Sequence, residues 1–189
     1  MKNEPLVGSF FCYAPRMLTE NQSRYLLTIP QEKLVEIKPF TAELKSTGDE
    51  LLSQIHAAVP QLELHHMGAS ALGISGQGDL DIYIFSSSKD FEQHLPRLIQ
   101  VFGEPTKHSE TSIKWDFERN GIPVEMYLTD PSSSAMLEQI KMFEALRDDE
   151  VLQKEYEALK ESFSGRSFRD YQAAKYEFYN KVLTTDDSR

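Results

Sequence analysis

Met67-Gly68-Ala69-Ser70, followed by Gly76-Gln77-Gly78-Asp79-Leu80-Asp81-Ile82-Tyr83-Ile84-Phe85, is the stretch that decides the fold of this chain. The first part is typical of a strand that ends in a small-residue loop, and the second of a β-strand that carries two carboxylates. Residues two apart on a strand share a face, so Asp79 and Asp81 point one way and the apolar residues between and after them point the other. The sequence therefore predicts one apolar face and one acidic face.

The small-residue loop gives the acidic face a chemical context. Gly68 lets a backbone turn approach a ligand closely, and the N–H groups of such a loop can bind a phosphate. Mg²⁺ takes one or two protein carboxylates together with phosphate oxygens. Asp79 and Asp81 beyond the loop therefore indicate a site for a nucleoside triphosphate (NTP) with Mg²⁺ or Mn²⁺. The alternative is a solvated strand face.

A hairpin follows further along the chain. Alternating apolar residues flank Asn120-Gly121, a strong two-residue turn signal. Pairing across this turn puts Trp115 opposite Met126, Phe117 opposite Val124, Lys114 opposite Tyr127 and Asp116 opposite Glu125. Two carboxylates directly opposite each other disfavour a sheet, and a cation between them would remove that cost.

These residues resemble the signature of the polymerase-β-type nucleotidyltransferase superfamily, apolar-Gly-[Gly/Ser], a spacer, then Asp-apolar-[Asp/Glu]-apolar. More narrowly, the chain resembles the GrpB family placed in that superfamily, with its His-Ile-Gly-Ser-Thr-x-x-x-Gly-Leu block and a strand ending in Asp-Ile. The resemblance covers roughly Lys33 to Leu183. The matching segments are His66-Met67-Gly68-Ala69-Ser70, Gly73-Ile74, Asp81-Ile82, Glu155-Tyr156-Glu157-Ala158-Leu159-Lys160 and Tyr171-Gln172-Ala173-Ala174-Lys175, with Phe178 beyond.

The chain departs from the family pattern at several positions. Ala69 replaces a preferred hydroxyl, so a phosphate contact there would come from its backbone N–H or from Ser70. Many GrpB relatives have an apolar residue where this chain has Asp79, and a His-rich strand around the position of Glu125. Both departures favour catalysis. Phe143 stands where the family has an Arg.

The resemblance implies nucleotidyl transfer, in which one Mg²⁺ held by Asp79 and Asp81 bridges the triphosphate and a second is shared with Glu125. Gly68, Ala69 and Ser70 would hold phosphates. Lys175 would lie near the cleft, with a plain surface lysine as the alternative. The acceptor would be a hydroxyl of a small molecule or a protein.

Two other functions remain open. A non-catalytic nucleotide-binding or regulatory module of the same fold is the main alternative, since Ala69 weakens the phosphate loop. A kinase accessory is less favoured and follows from the fusion of GrpB-like domains to a coenzyme A biosynthetic kinase. Asp116 is interpreted as an exposed neighbour, and His66 as a packed or solvated residue rather than a phosphate contact. Cys12 is interpreted as a small buried hydrophobe, and residues 8–14 as an edge element.

Composition limits the partners. The chain has 189 residues, a net charge of −10 and 40% hydrophobic residues, which suits one globular domain. The negative charge argues against nucleic acid or an anionic membrane as the main partner. A single cysteine and the lack of a signal-peptide pattern or a long apolar run predict a cytoplasmic protein. The oligomeric state is not predicted.

The periodicity predicts an α+β fold, a small nucleotidyltransferase-type mixed β-sheet with flanking helices followed by a helical C-terminal region. We expect an irregular N-terminal extension over 1–32, an α/β catalytic core over 33–130 and the helical region over 131–185. Further expectations are a short strand over 34–37, a helix from Thr41 to Pro60, and a helix through Phe91–Phe102 that Pro96 kinks or begins. Three C-terminal helices should follow, with residues 184–189 frayed.

Overall fold

A five-stranded mixed sheet forms the centre of this computed structural model, which describes residues 18–186. The strands are β1 (Glu63–Met67), β2 (Leu80–Phe85), β3 (Lys107–His108), β4 (Ser112–Arg119) and β5 (Ile122–Thr129), in the order β1-β2-β5-β4-β3. The β2–β5 pair is parallel and the other pairs are antiparallel. Cys12 and the 8–14 segment lie outside the described residues.

Seven α-helices accompany the sheet in the described part of the chain. They are α1 (Glu20–Thr28), α2 (Ala42–Ala58), α3 (Gly68–Leu72), α4 (Phe91–Phe102), α5 (Ser134–Asp148), α6 (Glu150–Ser162) and α7 (Phe168–Asp186). The hydroxyls of Thr41 and Ser133 cap α2 and α5, and the Asp149 carboxylate caps α6. No helix among residues 18–186 has the length and apolarity needed to span a bilayer. The predicted α+β class with a helical C-terminal region is confirmed.

The two faces of the sheet bury different partners, because side chains alternate along each strand. One face carries the residues between the carboxylates and packs in the main core with residues of α2 and α4; this core includes Ile55, Leu80, Ile82, Leu98 and Met126. The opposite face carries Tyr83 and Tyr127, which pack with Met136, Ile140 and Phe143 of α5. The acidic face of β2 is therefore covered by the C-terminal helices.

The hairpin forms in the predicted register. Trp115 pairs with Met126, Phe117 with Val124 and Asp116 with Glu125. Asn120 and Gly121 have φ values of 54° and 74°, as a type I′ turn requires. The turn and the alternation are both local signals, which explains why this element could be predicted in detail.

The loop after Met67 differs from the prediction. Its residues form α3, and Gly73 ends this short helix in the left-handed conformation. Asp79 lies just before β2 rather than within it. The loop that joins α3 to β2 therefore carries the first carboxylate.

Four other segments also differ from the predictions. Residues 34–37 are not a strand of the sheet. Leu34 and Lys38 form isolated bridges to Ser167 and Gly76, because the segment pairs with the turn before α7 and the loop before β2. Residues 20–28 are helical, since α1 packs on α7, and α7 itself continues to Asp186. Helix α4 runs through Pro96 from Phe91 instead of beginning at the proline.

Candidate active site

A cavity of about 560 Å³ separates the second face of the sheet from the C-terminal helices. Its sheet side includes Gly68, Asp79, Asp81 and Glu125, and its helical side includes Lys160 and Lys175 of α6 and α7. Ala69 lines the cavity as well. Six of the seven residues predicted for the site thus share one cavity, with acidic and basic groups on opposite sides.

Gly68 and Asp81 touch where β1 ends. The register of β1 and β2 pairs Met67 with Asp81, so the next residue lies beside that carboxylate. A Cβ at Gly68 would lie 2.0 Å from Asp81 Oδ2, and the φ of Gly68 is +74°. Only glycine therefore leaves room for the Asp81 carboxylate in this position.

The surroundings of the two aspartates raise their pKa values and so disfavour their ionised forms. Burial raises the pKa of Asp81 to about 7, and the neighbouring charge of Asp79 acts in the same direction. Burial also raises the pKa of Asp79, to which the charge of Glu125 contributes. Lys160 and Lys175 oppose these shifts only partly. A pair of buried carboxylates in this state would gain from a bound cation.

Glu125 lies beside Asp81 in the parallel pair, but its oxygens already have partners. Lys114 Nζ lies 3.0 Å from Glu125 Oε1, and Tyr127 donates its hydroxyl to Glu125 Oε2 at 2.5 Å. The same ammonium lies 2.7 Å from Asp116 Oδ1. The like-charged pair seen in the sequence is therefore bridged by a lysine of the sheet itself.

Lys160 is a functional candidate that the sequence interpretation missed. Its side chain is on α6 and is only 3% exposed, and burial lowers its pKa to about 8, helped by the charge of Lys175. A Cβ at Gly76 would lie 3.4 Å from Lys160 Nζ, so the ammonium lies against the loop that carries Asp79. Its position at the end of the Glu155–Lys160 motif was the available signal.

Lys175 belongs to the cavity rather than to the open surface. It lies on α7 with its ammonium 5.5 Å from the ring centre of Tyr179. The phenols of Tyr156 and Tyr179 hold the pKa of Lys175 well above its usual range, although burial opposes them. Lys175 therefore stays protonated when Lys160 begins to lose its proton.

Ser70 does not line the cavity, in contrast to the predicted phosphate contact. Its buried hydroxyl shares a hydrogen bond of 2.9 Å with His66 Nε2. Burial lowers the pKa of His66, and a Cβ at Gly48 would lie 3.0 Å from its ring. His66 is thus a packed histidine that positions α3.

Helix α6 holds the loop before β2. Glu157 accepts the Ser75 N–H at 2.7 Å and Glu161 accepts the Ser75 hydroxyl at 2.9 Å. On the other side, Gly76 exchanges backbone hydrogen bonds of 2.6 and 2.9 Å with Lys38. The position of Asp79 is therefore set by contacts from two distant parts of the chain.

The donor set fits one divalent cation. Mg²⁺ binds protein through one or two carboxylates and completes its shell with water and phosphate oxygens, which matches Asp79 and Asp81. Among residues 18–186, no group of three or more His, Cys, Asp or Glu side chains is placed to hold a metal. A second ion on Glu125 would have to share its oxygens with Lys114 and Tyr127 and would lie close to the Lys114 ammonium.

Comparisons with known proteins place the chain in a family. The family model described as GrpB protein matches residues 34–185. No functionally curated protein matches the sequence. The solved structure titled conserved protein GrpB from Enterococcus faecalis is similar with a TM-score of 0.59 at 9% identity, over 78% of this chain and 99% of that chain.

Two further solved structures overlap more loosely. The Cid1 RNA terminal uridylyl transferase gives a TM-score of 0.46 at 19% identity, covering 66% of this chain and 41% of that chain. The GLD-2/RNP-8 complex gives 0.43 at 15% identity, covering 76% of this chain and 59% of that chain. The chain thus spans about half the length of the chains in these two structures.

Proposed function

This chain belongs to the GrpB family, and from that premise we propose that its cavity binds an NTP with Mg²⁺ or Mn²⁺ and transfers the nucleoside monophosphate to a hydroxyl group. The observation that supports the proposal best is the opposition of charges across the cavity. Two carboxylates without an ion pair in the described chain face two enclosed ammonium groups. A metal-bound polyphosphate is a ligand that complements both sides.

Each residue has a defined task in this proposal. Asp79 and Asp81 hold the metal, and Gly68 leaves the space that the Asp81 carboxylate needs. Bound there, Mg²⁺ would neutralise phosphate charge and favour in-line attack at the α-phosphorus. Lys160 and Lys175 bind the phosphates, and Gly68 and Ala69, which also line the cavity, add backbone N–H contacts. The acceptor hydroxyl gives its proton to solvent water, its oxygen bonds to the α-phosphorus, the α–β anhydride bond breaks and pyrophosphate leaves.

The acceptor is proposed to be a small molecule or a protein side chain. The net charge of −10 makes a polyanionic nucleic acid a poor partner for this surface.

A second candidate is a nucleotide-binding module without turnover. The specific observation that favours it is the engagement of Glu125 by Lys114 and Tyr127, which leaves that carboxylate closed to a metal. Ala69, in place of a hydroxyl, points in the same direction. Both candidates require the NTP pocket and differ only in chemistry.

Thermal unfolding with a panel of NTPs, with and without Mg²⁺, tests the shared part of the two candidates. We expect stabilisation of about 2.7 kcal/mol at a ligand concentration one hundred times Kd, and only with metal present. The double variant D79N/D81N should lose this response. The matched control is E92Q/E104Q, which removes the same charge at exposed positions around α4. No response to any NTP would reject nucleotide binding.

A transfer assay separates enzyme from binding module. The protein is incubated with α-phosphate-labelled NTP, Mg²⁺ and pooled metabolites or lysate proteins. Label on an acceptor that disappears in D79N/D81N supports transfer. An NTP-dependent thermal shift without any labelled product supports the binding module.

A further inference from the structure

Lys114 brings a fixed positive charge into the part of the sheet where two carboxylates meet. It lies on β4, two residue pairs along from the Asp116–Glu125 pair, and its ammonium contacts Asp116 Oδ1 at 2.7 Å and Glu125 Oε1 at 3.0 Å. Its side chain is 21% exposed, and its ammonium lies 5.4 Å from the ring centre of Tyr127. The lysine is thus held by contacts with three residues.

Both carboxylate oxygens of Glu125 have a partner in this arrangement. One of its oxygens bonds to Lys114, and the other accepts the Tyr127 hydroxyl at 2.5 Å. The ring of Tyr127 stacks on that of Tyr83 at 4.9 Å between centres, with 8° between the planes. A cation at Glu125 would have to share these oxygens with Lys114 and Tyr127 and come close to an ammonium of the same sign.

Asp79 and Asp81 are in the opposite situation. Both line the cavity, and among the described residues neither forms an ion pair. A divalent ion bound there relieves repulsion, whereas one bound at Glu125 would be repelled by Lys114. The contacts therefore separate the three carboxylates: Glu125 forms a direct ion pair with Lys114, whereas in the described chain Lys160 and Lys175 form none with Asp79 or Asp81.

We propose that Lys114 takes the place of a second metal ion, so that this pocket binds a single divalent cation, on Asp79 and Asp81. This inference rests on the proposed function and assigns its metal stoichiometry. Glu125 and Asp116 then act as positioning residues that hold the lysine beside the metal-binding pair.

The test is Mn²⁺ binding to the whole protein, counted from the electron paramagnetic resonance signal of free Mn²⁺. The native protein binds one ion. Lys114→Met removes the ammonium, opens Glu125 and Asp116, and raises the number to two. Lys154→Met is the matched control, because it removes the same charge from an exposed position of α6 and leaves the number at one.

A second set of variants changes Glu125, alone and together with Lys114. Glu125→Gln alone keeps one bound Mn²⁺, and the double variant K114M/E125Q returns from two ions to one. Glu125→Gln also decides the question if Lys114→Met fails to fold, as monitored by circular dichroism. Loss of the single ion in Glu125→Gln would overturn the inference.

The outcomes distinguish this inference from the proposed function. Two ions in the native protein, or one in a folded Lys114→Met, overturn the role of Lys114 and leave the NTP pocket intact. No bound Mn²⁺ in the native protein, with or without ATP, overturns the proposed function and the inference with it.

Discussion

At residue 68 a side chain is excluded on two separate grounds. The φ of +74° is unfavourable for any residue with a Cβ, and that Cβ would overlap Asp81 Oδ2. Gly73 has a similar φ of +70°, but nothing lies within 4 Å of its Cβ position. The two glycines therefore separate backbone strain from steric overlap.

Gly68→Ala should lower the free energy of unfolding by about 3 kcal/mol, because strain and overlap add. Gly73→Ala should cost about 1 kcal/mol, the left-handed strain alone. Chemical denaturation measures both. Only Gly68→Ala should also weaken Mn²⁺ binding, since it moves Asp81. Equal effects of the two variants would contradict the contact between Gly68 and Asp81.

The aspartate pair predicts a pH dependence. The folded-state pKa of Asp81, about 7, exceeds its unfolded value near 3.8, so the native state binds more protons in that interval. Metal-free stability should therefore fall as pH rises from 4 to 7, relative to D79N/D81N. Above pH 7 the variant should be more stable by roughly 2–4 kcal/mol.

Saturating Mg²⁺ should reduce the difference in stability between D79N/D81N and the native protein. The bound ion offsets the carboxylate repulsion that the Asn side chains of the variant remove. Thermal and urea unfolding at fixed ionic strength measure it. A D79N/D81N protein less stable than the native protein at pH 8 would indicate a structural role for the carboxylates instead.

The pH dependence of stability expected from Lys160 has the opposite sign. Its folded-state pKa, about 8, lies below its unfolded value near 10.5, so the native state binds fewer protons between these values. Stability relative to Lys160→Met should rise across this interval by about 3 kcal/mol. Lys154→Met, an exposed change on the same helix, should show no such trend. A flat difference for Lys160→Met would mean that its ammonium is solvated.

Burial is what the sequence did not reveal about these residues. Lys160 ends a helix motif that looks solvated in the chain, and it becomes enclosed only because α6 packs on the loop near Gly76. Ser70 lies in the right motif, but its hydroxyl turns to His66. Asp81 and Glu125 could be selected because they are paired on neighbouring strands, where alternation fixes their common face, whereas Asp79 lies in the loop just before β2.

At the scale of elements, local signals carried the predictions that are confirmed. The Asn120-Gly121 turn specified the hairpin register, and apolar periodicity specified α2 and the last three helices. Helix α3 has only five residues, which is too short for a periodic signal. The bridges of Leu34 and Lys38 depend on partners far along the chain, so no local pattern could indicate them.

The contact of α6 with the loop before β2 gives a test at this scale. Glu157→Ala removes the acceptor of the Ser75 N–H and should cost about 1.5–3 kcal/mol of local stability. Hydrogen exchange at Ser75 should then be faster by at least tenfold. Mg²⁺ affinity should fall, because the same loop carries Asp79.

Glu155→Ala is the control for that change, at an exposed position of the same helix. It should alter stability by no more than about 0.5 kcal/mol and leave the exchange rate unchanged. Unchanged exchange at Ser75 in Glu157→Ala would show that the loop is held by its backbone pairing with Lys38 alone.

For the whole molecule, α1 extends the packed structure beyond the family match, which begins at residue 34. Leu26 and Ile29 form a cluster with Phe168 and Tyr171 of α7. Arg169 also donates to the Ile29 carbonyl. The N-terminal helix therefore supports the helix that carries Lys175.

Leu26→Ala should lower the free energy of unfolding by about 2–3 kcal/mol, because a side chain that is 8% exposed leaves a cavity. Leu27→Ala, with 77% exposure, should change it by less than about 0.5 kcal/mol. Urea unfolding compares them. Equal costs would show that α1 does not pack on α7 as described.

The parallel pairing of β2 with β5 has a consequence for how the chain reaches its fold. The β4–β5 hairpin closes over a two-residue turn, a local event of about 1–10 μs, whereas β2 must join β5 across α4 and the hairpin. Until then β5 presents an open edge that a strand of another chain can pair with. Pulse-labelled hydrogen exchange during refolding should show that the amides of the β4–β5 hairpin become protected first. The β2–β5 pairing, which brings Asp81 beside Glu125, should therefore form late. Refolding at high protein concentration should favour association between chains during that interval.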